Sequence, residues 1–137
     1  MASGIYDDFK EDLMDGSVDL SNGGDTLKVA LLDSSHTFTA GDANWAAVSA
    51  NEITGTGYSA GGVTMSTQSV AVATNTATFD LGDAIWTTAT FTAAHAVVYS
   101  VTNSSSLIAS FDFGGDQSVS AGTFTIQWHG NGVITLT

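Results

Sequence analysis

A chain of 137 residues suits one domain that can bury about two thirds of its unfolded surface, and the lack of cysteine excludes disulfides, thiolate metal sites and cysteine nucleophiles. Fourteen acidic residues against Lys10 and Lys28 give a net charge of −12, which argues against nucleic-acid backbones and anionic membrane surfaces as partners. No apolar run approaches the roughly 18 residues of a membrane span, and the amino terminus has neither the basic nor the apolar region of a signal peptide, so a soluble chain without targeting information is expected.

The first element is a short helix over Ile5 to Met14. Ser3 is placed to cap it, Asp7 and Asp8 sit at the positive end of its dipole, and Gly16 supplies the left-handed stop. Ile5, Phe9 and Leu13 form a stripe at i, i+4, i+8, with Tyr6 and Met14 beside it. At about three turns the helix is marginal alone, so its stripe must pack on the domain or on a neighbouring subunit. Residues 1–24 are therefore expected to form a helix and linking arm, and residues 25–137 a β-domain.

From Asp25 onward a period of two replaces the helical period, in runs rich in Thr, Val, Phe and Ile. Leu27, Val29 and Leu31 share one face of the first run, Phe79 and Leu81 follow in another, and Leu107, Ala109, Phe111 and Phe113 in a third. Trp86 lies opposite Ile85 and Phe91 by alternation, facing a partner or a second sheet, while Ala94 to Val101 is apolar on both faces, as a central strand requires. Phe124, Ile126 and Trp128 alternate with polar residues, and Asn131-Gly132 is expected to close a hairpin onto Ile134 and Leu136. Thr74-Asn75, Gly55-Thr56-Gly57, Gly61-Gly62, Asn103 to Ser106 and Gly114-Gly115-Asp116 read as turns. The pattern predicts an all-β fold, an antiparallel β-sandwich or jelly-roll-like domain with a short amino-terminal helix. Phe79, Phe111, Phe113, Phe124, Ile126 and Trp128 are its expected core.

No reaction is written in the chain. His36, His95 and His129 lack the paired spacing that places two imidazoles on one metal. Asp15, Asp19 and Asp25, with Ser17 and Asn22, loosely resemble a calcium loop but lack its regular spacing and distal glutamate, so a solvated turn is favoured. Asp80 with Asp83, or Asp112 with Asp116, would need a substrate cleft to act as a hydrolytic pair; strand-end acids more often guard edges. No nucleophile elbow, P-loop or dinucleotide fingerprint is present. No catalytic residue, metal or cofactor is assigned. Ile5, Tyr6, Phe9 and Leu13 on the helix, with Trp45, Tyr58 and Trp86, are the candidate partner contacts, since exposed aromatics mark interfaces with proteins or sugars.

Several strings together resemble a family of small structural proteins of tailed-bacteriophage particles. They are Asp8 to Gly16 (DFKEDLMDG), Thr26 to Leu32 (TLKVALL), Val48 to Gly62 with its N-E-I-T-G-T-G-Y-x-A-G-G core, Ala96 to Tyr99, and Leu107 to Ala109 running into Phe111 to Gly114. The resemblance implies a non-enzymatic virion component and carries no catalytic residue. Its glycines suit a bend between strands that Tyr58 can pin. The implied role is a capsid decoration or cement protein on the outer head surface, bound to the major capsid protein or other virion proteins. A homo-oligomer is expected, a trimer by analogy with attachment at threefold points. The alternative is a tail- or fibre-associated protein contacting the host or a neighbouring tail component.

Overall fold

The computed structural model describes residues 3–137, and the chain folds as an antiparallel β-sandwich with a short amino-terminal helix. Its elements are β1 (Gly4–Ile5), α1 (Asp7–Asp15), β2 (Leu27–Leu32), α2 (Trp45–Val48) followed by a 3-10 turn, β3 (Val63–Thr64), β4 (Gln68–Ala73), β5 (Thr76–Leu81), β6 (Ala84–Ser100), β7 (Ser106–Ile126) and β8 (Ile134–Leu136). The large sheet runs β1-β7-β6-β2-β3 and the small one β4-β5-β8.

β2 and the Ala93–Ser100 half of β6 lie at the centre of the large sheet and are apolar on both sides because both sides are covered. Leu27, Val29, Leu31, Val98 and Ile108 point into the main core, shared with Phe79 and Leu81 of the small sheet and Phe9 of α1. Ala30, Leu32, Val97, Tyr99 and Leu107 point the other way, into a second cluster closed by Tyr6 and Val48, with Phe38 and Trp45 at its margin.

Irregular pairing between β6 and β7 explains where simple alternation fails. Trp86 and Phe91 lie on the same buried face, not on opposite ones, because a bulge with Thr88 at φ 50° intervenes and shifts the register by one side chain. Leu107 parts from Ala109 and Phe111 for the same reason: it pairs with Tyr99 while Ala109 pairs with Val98, leaving Ile108 as the extra residue. Gly114-Gly115-Asp116 is a wide bulge within β7 and not a strand-ending turn, since Gln117 pairs with Ala93 and Asp112 with His95. The ring centroids of Phe113 and Phe124 lie 6.2 Å apart, and both alternation sets of β7 serve one core because a further irregularity between Val119 and Gly122, with Ala121 at φ 47°, moves the core-facing positions from Phe111, Phe113 and Val119 to Phe124 and Ile126. Phe79 is deeply buried, whereas Phe111, Phe113, Phe124, Ile126 and Trp128 are only half-buried, at the edge of that core.

The turn at His129 to Gly132 forms, with the Gly132 N–H donating to His129 O at 2.8 Å, yet it does not close a hairpin. β8 leaves β7 and pairs with β5 instead, carrying the chain from the large sheet to the small one. Trp128 marks the crossing, its indole N–H donating to Gly82 O at 2.9 Å.

The amino-terminal segment is part of the sandwich. β1 pairs with β7, Gly4 opposite Ser110 and Ile5 opposite Ala109, and the Tyr6 N–H donates to Ile108 O. Ser3 does not cap α1; its hydroxyl accepts from the Asp112 N–H, and Tyr6 occupies the cap position without a side-chain bond. Gly16 does end the helix in the left-handed conformation, at φ 82°. Asp12 fastens α1 to the β6–β7 turn by accepting from Asn103 Nδ2 and Ser106 Oγ, both at 2.8 Å.

Candidate interaction surface

Six of the seven side chains expected to contact a partner are engaged within the fold. Tyr6 and Phe9 are buried, and burial pushes the Tyr6 hydroxyl up to about 12 against the opposing pull of Ser110. Ile5 is half-buried in β1. Trp86 packs edge-on against Phe91 and Phe124 in the main core. Trp45, at the start of an α2 capped by Asn44, stacks on Tyr99 with centroids 5.0 Å apart and planes 9° apart. Tyr58 turns its hydroxyl inward to Glu52. Leu13 alone among them is exposed. An i, i+4, i+8 stripe locates the apolar side of a helix, but it does not tell a core from a partner.

The titratable groups are likewise distributed among separate local tasks. Asp15 accepts from the Ser17 N–H, and Asp19 from the N–H and hydroxyl of Ser21, bonds that hold both carboxyls below their usual range. Asp25 turns inward to accept from Ser100 Oγ at 2.6 Å. Those three acids do not converge, and among the described residues no group of three or more histidines or acids is placed to hold a metal. Asp80 accepts from the following N–H at Leu81, and Asp112 from Gly114 inside the wide bulge. His129 Nδ1 accepts from the Asn131 N–H in a surface turn.

His36 and His95 meet edge to face, with ring centroids 5.1 Å apart. Ser110 Oγ lies 3.4 Å from His36 Nε2, and Asp112 Oδ1 lies 3.9 Å from His95 Nδ1, too far for a hydrogen bond. The grouping matches a hydrolytic triad in residue types alone: Ser110 is buried and meets His36, whereas Asp112 lies beside the other imidazole, His95. Burial, and then the neighbouring His95, lowers the His36 pKa.

One groove that the fold leaves open is apolar. Between α1 and the small sheet runs a groove of about 310 Å³, lined by Leu13, Val70, Phe79, Ile134 and Leu136, with Asp19 at its rim. Sheet register explains the lining: Val70, Phe79 and Ile134 form one cross-strand row, and Val72, Ala77 and Leu136 the next. Val72 is 75% exposed and Leu136 64%, unusual values for large apolar side chains in one cross-strand row. The alternation of β4 and β8 contained this row in outline; the partnering of β8 with β5, which assembles it, was hidden by the expected β7–β8 hairpin.

Compared with protein-family models, with curated proteins and with solved structures, the chain finds no match.

Proposed function

We propose that this chain is a non-enzymatic accessory protein of a tailed-phage particle, decorating the outer head surface and stabilising it through contacts with the major capsid protein or its neighbours. The observation that carries this reading is the exposed apolar groove beside α1, onto which the main interior cluster opens at Phe9 and Phe79. An outward-facing apolar surface of this kind serves association, and many weak copies on a lattice add up to firm attachment. The sequence resemblance supplies the setting. The acidic surface suits the outside of a DNA-filled shell better than its lumen.

Copies associate as a trimer on this reading. The far half of the β6–β7 hairpin offers them a face without charge, where Thr87, Thr90, Thr92, Ser118 and Thr125 are exposed. Velocity sedimentation at micromolar concentration tests it, and a monomer throughout removes self-association of the isolated protein.

A protein that binds the assembled lattice and not its free subunits raises lattice stability by mass action. Particles lacking it are expected to release DNA at lower temperature while adsorbing normally. Particles that keep their heat stability but fail to adsorb favour the tail-associated alternative.

A further inference from the structure

We propose that the free edge of β4 and the groove beside it receive an extended segment of a different protein, paired along β4 and carrying Lys or Arg where it meets Asp15 and Asp19. On the accessory-protein reading, on which this rests only for the source of the segment, the donor is a neighbouring virion protein.

The edge dictates a strand as occupant. Thr74 and Asn75, at φ 49° and 66°, make a two-residue type I′ turn, so the closing pair Ala73 and Thr76 is hydrogen-bonded and pairs alternate from there. The backbone groups of Ala73, Ala71 and Ser69 thus face β5. Those of Gln68, Val70 and Val72 face outward, and β4 is an outer strand of its sheet. Exposed edges are normally guarded by charge, proline or a bulge. β4 has none of these: its register with β5 is unbroken, and no acidic or basic residue occurs from Ile53 to Phe79. An added strand would satisfy the three outward residues, while its alternate side chains enter the groove beside Val70 and Val72.

Charge decides whose strand it is. Asp19 lines the groove, Asp15 ends α1, and the last turn of α1 has no basic residue to offset the negative end of the helix. Both carboxyls are exposed and ionised at neutral pH, and hydrogen bonds from Ser17 and Ser21 lower their pKa values further. A second copy of this chain, itself at net −12, is repelled by these carboxylates, and among the described residues its lysines are Lys10, in a surface pair with Asp7, and Lys28, half-buried in β2. The complementary partner is therefore a foreign chain of alternating apolar residues with a basic end.

The test uses the full-length protein, 15N-labelled, and four synthetic octapeptides of alternating Val and Thr, bearing two Lys or two Glu at one end or the other. One Lys peptide is expected to bind about tenfold more tightly than its Glu counterpart at low salt, with the difference shrinking at high salt. Amide shifts are expected to concentrate at Gln68, Val70 and Val72. Val72→Lys, at an exposed position that leaves folding intact, should abolish those shifts, and the double substitution Asp15→Asn with Asp19→Asn should equalise the peptides. Equal binding of Lys and Glu peptides, shifts elsewhere, or no binding by any peptide at millimolar concentration overturns the proposal. A wild-type dimer that Val72→Lys dissociates also overturns it, making a second copy the occupant. None of these results depends on whether the protein sits on head or tail.

Discussion

Tyr58 Oη donates to Glu52 Oε1 at 2.8 Å while accepting the Leu31 N–H at 3.1 Å. The same carboxylate oxygen accepts the Gly61 N–H, and Tyr99 Oη donates to Gly61 O at 2.6 Å. The segment from Glu52 to Gly62 is thereby stapled across β2 and β6. Burial, together with the Glu52 carboxylate, drives the Tyr58 pKa up, so its hydroxyl remains a donor at any ordinary pH.

Tyr58→Phe removes a donor and an acceptor at once and leaves the Leu31 N–H without its partner. Destabilisation of about 1–3 kcal/mol is expected by denaturant titration, with the sandwich retained. Gly62→Ala is expected to be worse, above about 4 kcal/mol or unfolded, because Gly62 has φ 82° and an added Cβ would overlap Val29 O. Wild-type stability in either variant would show that the staple carries no energy.

The helix supplies a contrast within one stripe. Phe9→Ala empties part of the main core and is expected to lower stability by about 3–5 kcal/mol. Leu13→Ala, four residues on but exposed in the groove, is expected to change it by under about 0.5 kcal/mol. Deleting residues 1–15 should unfold the domain, since β1, Tyr6 and Phe9 go with them; a deletion that melts cooperatively at the wild-type midpoint would restore the separable arm.

Stability should also depend on pH through His36. Its folded pKa lies below the ordinary value near 6.5, so the unfolded chain takes up a proton where the folded one does not. The His36 contribution is therefore fully present above about pH 6.5 and is lost as pH falls below that, toward the folded value. The carboxylates of Asp15 and Asp19, with depressed pKa values, contribute only to the acid limb below about pH 4. Melting midpoints between pH 7.5 and 5 should fall, and His36→Gln should flatten that fall. An equal slope in the variant would assign the effect to another group.

The fold class was legible in the sequence because alternation survives wherever a strand is regular, as in β2 with Leu27, Val29 and Leu31 on one face and Ala30 and Leu32 on the other. The doubly apolar run at Ala94 likewise located the central strand, and the glycine-rich motif located the bend that Tyr58 pins. Two features were not legible. A bulge such as the one at Thr88 costs one residue of register and leaves no compositional mark beyond a run of threonines. The pairing of β8 with β5 is long-range, and a local turn signal at Asn131-Gly132 cannot tell a hairpin from a crossing between sheets. The groove follows from that pairing, which is why the sequence pointed to Tyr6, Phe9 and Trp86 and overlooked Val70, Val72 and Leu136.

The central claim is that this β-sandwich attaches to the outside of a phage head by its α1–β4 side. A reconstruction of the whole particle tests it most directly. The account predicts density for the domain on the outer capsid surface, with Val70, Val72 and Leu136 turned toward a neighbouring chain. Density on the tail, or a head-bound domain whose α1–β4 groove faces solvent, would contradict it.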